Sequence, residues 1–297
     1  MNAHLDPPQL GTLETGDFRP SFRPGAASVP EAGELAELGA RLSAGPLALA
    51  RATRRTRRTA RFLVGCAGHI RRELLAEDTP GQARQAYAGF MAENICALNG
   101  FDVRVSGPLP GAGQPALLVC NHIGWQDAIL INAVVPSLAV VKREVASWPL
   151  VSDIARGLGY LFVDRGDAHS GAQVLLRARR ELEAGCSVLT FPEGTTTQGK
   201  GVLPLHRGMF GLSKLSGFPV VPISLCYALG PGAAWVGDDT FLPHFAKTVA
   251  REATVSYLDF GAPMHARPDE SAEAFGARVR DQILAQLQAR RDDLELS

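Results

Sequence analysis

The sequence predicts an α/β fold, in which a mixed, largely parallel sheet is flanked by helices and preceded by an N-terminal helical segment. Three observations carry this. Short apolar runs recur at Phe101 to Val105, Ala116 to Cys120, Leu138 to Val141, Tyr160 to Val163, Ser187 to Phe191, Val220 to Leu225 and Ala253 to Phe260, a length that suits strands. Helical patterns fall between several of them, at Ala128 to Val134, Leu150 to Leu158, Ser170 to Ala184 and Gly208 to Leu215, with a terminal one at Ala272 to Arg290. Strands alternating with helices imply parallel pairing. Finally, the polar clusters stand directly after apolar runs, beyond the carboxyl ends of strands, where such sheets gather ligands.

Taken in order, residues 1–30 carry Pro7, Pro8, Pro20, Pro24 and Pro30 among few aliphatics, and disorder is expected there. Residues 31–100 read as a helical, basic segment. Arg51, Arg54, Arg55, Arg57, Arg58, Arg61, Arg71 and Arg72 follow one another without an intervening acidic residue. On a helical projection Arg51, Arg54, Arg55, Arg58 and Arg61 form one stripe, and Leu49, Ala52, Thr56, Leu63, Ala67 and Ile70 another. A second helix is predicted from Gln82 to Leu98, stopped by Asn99 and Gly100. Residues 101–297 form the α/β domain.

Composition narrows the function classes. A chain of 297 residues with 46% hydrophobic content can build a sizeable core, and its formal net charge of zero argues against general nucleic-acid binding. The basic run lacks the aromatic interleaving that base stacking needs. Cys66, Cys96, Cys120, Cys186 and Cys226 show no C-x-x-C spacing and read as reduced, buried thiols of a cytosolic protein. No long apolar core marks a signal in residues 1–30. The most apolar stretch, Met209 to Leu229, is broken by Lys214, Gly217, Pro219 and Pro222, which suits a helix and a strand rather than a membrane span.

The stretch Asn121-His122-Ile123-Gly124-Trp125-Gln126-Asp127 supplies the chemistry. Residues five apart diverge by roughly 140° on a helix, so His122 and Asp127 cannot share one helical face. His122 therefore belongs on a loop, with Asp127 in the first turn of a following helix, its carboxylate pointing back at the imidazole. Such a pair makes a base with an orienting group, the free ring nitrogen accepting a proton from an alcohol or water. A helix-capping Asp near an unrelated loop His is the better account of a lone motif of this kind.

The motif has company in Phe191-Pro192-Glu193-Gly194-Thr195, Gly159-Tyr160-Leu161-Phe162-Val163-Asp164-Arg165 and Val221-Pro222-Ile223. Together these resemble the four motif blocks of the glycerolipid acyltransferase family that includes 1-acylglycerol-3-phosphate acyltransferases, in the family's order and across about residues 101 to 262. The resemblance implies transfer of an acyl chain from acyl-CoA or acyl-acyl carrier protein, as co-substrate, to a lysolipid hydroxyl. His122 would be the general base and Asp127 its partner, with no acyl-enzyme and no resident cofactor. The expected acceptor is 1-acylglycerol 3-phosphate, with lyso-ornithine lipid as the alternative.

The same resemblance places Arg165 where an acceptor phosphate is held, a task suited to a planar guanidinium; an ion pair with Asp164 or Asp167 is the competing reading. Glu193, Gly194 and Thr195 are expected to shape the acceptor site, and Lys142 and Arg207 match further basic positions, although a solvated charge explains those two equally well. Oxyanion donors are sought near Gly124 or after Pro192. Trp125 and Gln126 fall where the family varies, which bears on the acceptor. A lipid substrate makes the basic helix a candidate for peripheral attachment to the cytoplasmic face of an anionic membrane. A silent lipid-binding protein and a hydrolase acting through water are the rival classes, the latter disfavoured by the lack of a G-x-S-x-G elbow. No metal site is expected from His69, His169, His206, His244 and His265, whose spacing is not ligand-like. Trp148 and Trp235 read as packing residues.

Overall fold

The computed structural model describes residues 45–75, 79–111, 113–147, 150–164, 166–236 and 241–294. Expectations for residues 1–30, Trp148 and Arg165 lie outside the described residues. The seven predicted strands form as β1 (Phe101–Ser106), β2 (Leu117–Cys120), β3 (Leu138–Lys142), β4 (Leu161–Val163), β5 (Val188–Thr190), β6 (Val220–Tyr227) and β7 (Thr254–Phe260). They make one sheet in the order β1-β7-β6-β2-β5-β3-β4. Every neighbouring pair runs parallel except β6 with β7, so the mixed, largely parallel expectation holds.

Strand β2 shows why a continuous apolar run was needed. All four of its residues are buried, because helices cover both faces of the sheet around it. Its side chains alternate in the way strand geometry dictates: Leu118 and Cys120 join one core layer, and Leu117 and Val119 the other. The first layer is completed by helix α2 (Gly81–Asn99) and helix α3 (Asp127–Asn132). The second is completed by α5 (Ala168–Glu183), α6 (Gly208–Ser216) and α8 (Ala272–Leu294). Helix α4 (Val151–Gly157) precedes β4.

One helix was not predicted. Helix α7 (Phe241–Ala250) accommodates Pro243 in its first turn, where the missing N–H has no helical partner to lose.

The basic helix departs from its projection. Helix α1 (Pro46–Glu73) packs on α7 near its start and on α4 near its end. Arg51 donates to the carbonyl of Ala250 at 2.8 Å, and Arg55 donates to those of Val249, Arg251 and Glu252 at 3.2, 2.6 and 3.0 Å. These two guanidiniums satisfy the carbonyls that the end of α7 leaves unpaired. The predicted stripe is thereby split, and Arg54, Arg57, Arg58 and Arg61 remain on the exposed side. The apolar stripe is redistributed too, since Ala52, Ala67 and Ile70 are buried whereas Leu49 and Thr56 are exposed. A cluster of Ile70, Tyr87, Met91, Ile154 and Leu158 joins α1, α2 and α4. The fit is close enough that a Cβ on Gly157 would stand 2.0 Å from Ile70 Cγ2. Among the described residues, no helix is long and apolar enough to cross a membrane.

Candidate active site

The site begins where β2 ends. Asn121 turns its amide onto the backbone of β6, donating to the carbonyl of Leu225 at 3.0 Å and accepting from its N–H at 2.8 Å. That paired contact extends the strand ladder by one residue and sets the direction in which the loop leaves. His122 follows on the loop, and Asp127 opens α3, as the spacing predicted. Asp127 Oδ2 stands 2.8 Å from His122 Nδ1 and accepts the backbone N–H groups of Ile123 and Gly124 at 2.6 and 2.9 Å. Tyr227 on β6 donates to Oδ1 at 2.7 Å. The carboxylate is fully buried but fully partnered, which is the condition for keeping a charge out of water.

Those bonds correct one expectation. The N–H of Gly124 is occupied by Asp127 and cannot serve a reacting oxygen. Gln126 also differs from its predicted part: it is fully buried, with its amide donating to the carbonyl of Ala233 at 3.2 Å, and does not shape the acceptor side.

The imidazole is held on a second side by the loop after β5. The ring of Phe191 stacks on His122 with centroids 4.2 Å apart, and the N–H of Thr197 donates to the carbonyl of His122 at 2.8 Å. With Nδ1 engaged by the carboxylate, the proton sits there and Nε2 is the basic atom. The His122 side chain, 18% exposed, lines a cavity of about 970 Å³, within the size range of small-molecule sites.

The cavity has two chemistries. Its apolar lining includes Met91, Ile95, Ile129 and Ile154, while Lys142, Glu144, Asp164, Asp167, Thr195 and His206 contribute polar groups. Of the predicted contacts, Lys142, Gly194 and Thr195 line this space. Arg207 instead pairs with Glu273 at 2.5 Å outside it. Glu193 does not face the cavity either. It is buried, and its two oxygens accept the N–H of His122 at 2.7 Å and that of Leu203 at 2.8 Å. Desolvation pushes its carboxyl above the usual value of 4.5, against the pull of those two N–H donors. Gly194 follows with φ +74°, and a Cβ there would meet His206 Nε2 at 2.8 Å, so glycine is required on both counts.

Around Trp125 the wall is aromatic. Its indole N–H donates to His244 Nδ1 at 3.1 Å, and its ring lies against Phe241, Phe245 and Phe101. Asn121, Tyr227 and His244 carried no sequence signal of a role, because each depends on a partner more than a hundred residues away or a hundred residues away.

Residues 102–226 match the acyltransferase family model. The chain is 32% identical over 202 residues to a lyso-ornithine lipid O-acyltransferase of Pseudomonas aeruginosa, covering 67% of this chain and 76% of that protein. It is 26% identical over 173 residues to a 1-acyl-sn-glycerol-3-phosphate acyltransferase of Neisseria meningitidis, covering 58% and 61%. Among solved structures, the 1-acyl-sn-glycerophosphate acyltransferase of Thermotoga maritima superposes with a TM-score of 0.64 at 20% identity, over 82% of this chain and 95% of that one, which is a shared fold.

Proposed function

This chain belongs to the acyltransferase family, and from that premise we propose that it moves an acyl chain from a thioester to the free hydroxyl of a lysolipid, with His122 as general base. The observation that carries the reading is the His122–Asp127 couple turned toward a largely apolar cavity. The acceptor hydroxyl gives its proton to His122 Nε2 as its oxygen attacks the thioester carbonyl. Asp127 steadies the imidazolium. Collapse of the tetrahedral intermediate breaks the carbon–sulfur bond, and the departing thiolate takes the proton back. With the Gly124 N–H occupied, the developing oxyanion is assigned to the turn carrying Thr195 and Thr196, which line the cavity. Acyl-CoA or acyl-acyl carrier protein supplies the chain, and no resident cofactor enters the reaction.

For the acceptor, two readings have support. Lyso-ornithine lipid carries both a carboxylate and an ammonium, and the mixed lining of Lys142 with Glu144, Asp164 and Asp167 suits such a head; the Pseudomonas relative bears that name. The second reading is 1-acylglycerol 3-phosphate, supported by the position of Arg165 within its sequence motif, by Lys142 in the cavity lining and by the Neisseria relative's name. Side-by-side kcat/KM values for the two acceptors, with both donors, decide between them. Fatty acid released at one rate with or without acceptor would sink the transferase reading altogether.

The exposed arginines of α1, with Leu47, Leu49 and Val64 also exposed, support attachment to the cytoplasmic surface of an anionic membrane. Each arginine near the surface adds about 1 kcal/mol.

A further inference from the structure

The Asp127 oxygen that does not face His122 has a partner of its own. Tyr227, on strand β6 between β7 and β2, is 1% exposed and donates to Asp127 Oδ1 at 2.7 Å. Burial first, and then the neighbouring carboxylate, hold this phenol protonated far above the ordinary range, so it is a donor at every working pH. The Gln126 side chain, tied to the carbonyl of Ala233, lies beside the same phenol. The other titratable groups facing this pair are Glu193, from the loop after β5, and Cys120, from β2, whose thiol burial keeps neutral.

We infer that Tyr227 is a positioning residue for acyl transfer: by occupying Oδ1 it fixes the rotation of the Asp127 carboxylate and limits the charge that Oδ2 presents to His122. The inference rests on His122 being the base. Oδ2 already accepts three contacts, so removing the phenolic bond would leave the carboxylate in place but held from one side only and more negative. A more negative partner favours the imidazolium, and a protonated imidazole is not a base.

Tyr227→Phe is the direct test. The expected result is a fall in kcat of about fivefold to tenfold with KM for both substrates nearly unchanged, and an acidic limb of the kcat/KM profile moved upward by roughly half a pH unit. In an Asp127→Asn background the same change should add little, because the residue through which it acts is gone. A folded Tyr227→Phe variant with wild-type kcat and an unmoved limb overturns the inference, as does an equal loss in both backgrounds. Should Tyr227→Phe fail to fold, 3-fluorotyrosine placed at position 227 keeps the packing and strengthens the donor. It should move the limb downward, and an unmoved limb is again fatal. His122→Ala separates the two levels: an active His122→Ala protein removes the base and this inference together, whereas an inactive one beside an unaffected Tyr227→Phe removes the inference alone.

Discussion

Glu193 Oε1 accepts the backbone N–H of His122 at 2.7 Å, so the carboxylate of one motif sets the main chain of the other. Its second oxygen takes the N–H of Leu203, and the loop between β5 and α6 is closed onto the same group. The acidic residue thus acts on the base from behind, through the backbone, while Asp127 acts on the ring.

Glu193→Ala would leave two partly buried N–H groups without their acceptor, at about 1 kcal/mol for each. The expected outcome is a loss of stability of that order in denaturant unfolding, with kcat reduced and acceptor KM little changed. A variant of unchanged stability whose acceptor KM alone rises would show that Glu193 contacts the substrate instead.

The same carboxyl gives a pH signature. Its folded-state value lies above 4.5 because of desolvation, so the folded chain holds a proton that the unfolded chain releases. The resulting stability is present below pH 4.5 and is lost as pH rises through the raised value. Relative to Glu193→Gln, which cannot titrate, the wild type should lose thermal stability across that window. Parallel melting curves would refute this.

For the base itself, His122→Ala should remove turnover by a factor of about 100 or more while the protein stays folded. Asp127→Asn should keep a residual rate, since the imidazole remains but its tautomer is no longer fixed. Circular dichroism controls for folding, and wild-type kcat in a folded His122→Ala protein would end the mechanism.

The arginines of α1 should divide into two behaviours. Replacing Arg54, Arg57, Arg58 and Arg61 by Ala is expected to weaken sedimentation with anionic vesicles and leave the melting temperature nearly unchanged. Arg55→Ala should instead destabilise the fold by about 1–3 kcal/mol, because three carbonyls lose a charged donor. Equal binding of the wild type to neutral and anionic vesicles would exclude electrostatic attachment.

The elements that could be read from sequence are those specified locally. Strand runs are bounded by their own turn residues, and the five-residue spacing from His122 to Asp127 forces loop then helix whatever surrounds it. What stayed hidden depends on partners distant in the chain. That Arg55 turns inward follows from where α7 ends, and that Glu193 points at backbone follows from how β2 and β5 are paired. Tyr227 lies two residues beyond the predicted run Val220 to Leu225, and its part shows only where the longer strand brings its hydroxyl against Asp127.

The pairing of β1 with β7 has a consequence for how the chain is made. Ser106 meets Asp259 across 153 residues, so strand β1 waits on the ribosome for β7, its one strand neighbour among the described residues. At about 5–20 residues per second, that interval is roughly 8–30 s. Throughout it, Phe101 and Val103, both bound for the core, have no strand to cover their edge. Newly made protein should therefore depend on a chaperone that shields this stretch during translation, and truncations ending before Thr254 should aggregate rather than accumulate as folded intermediates.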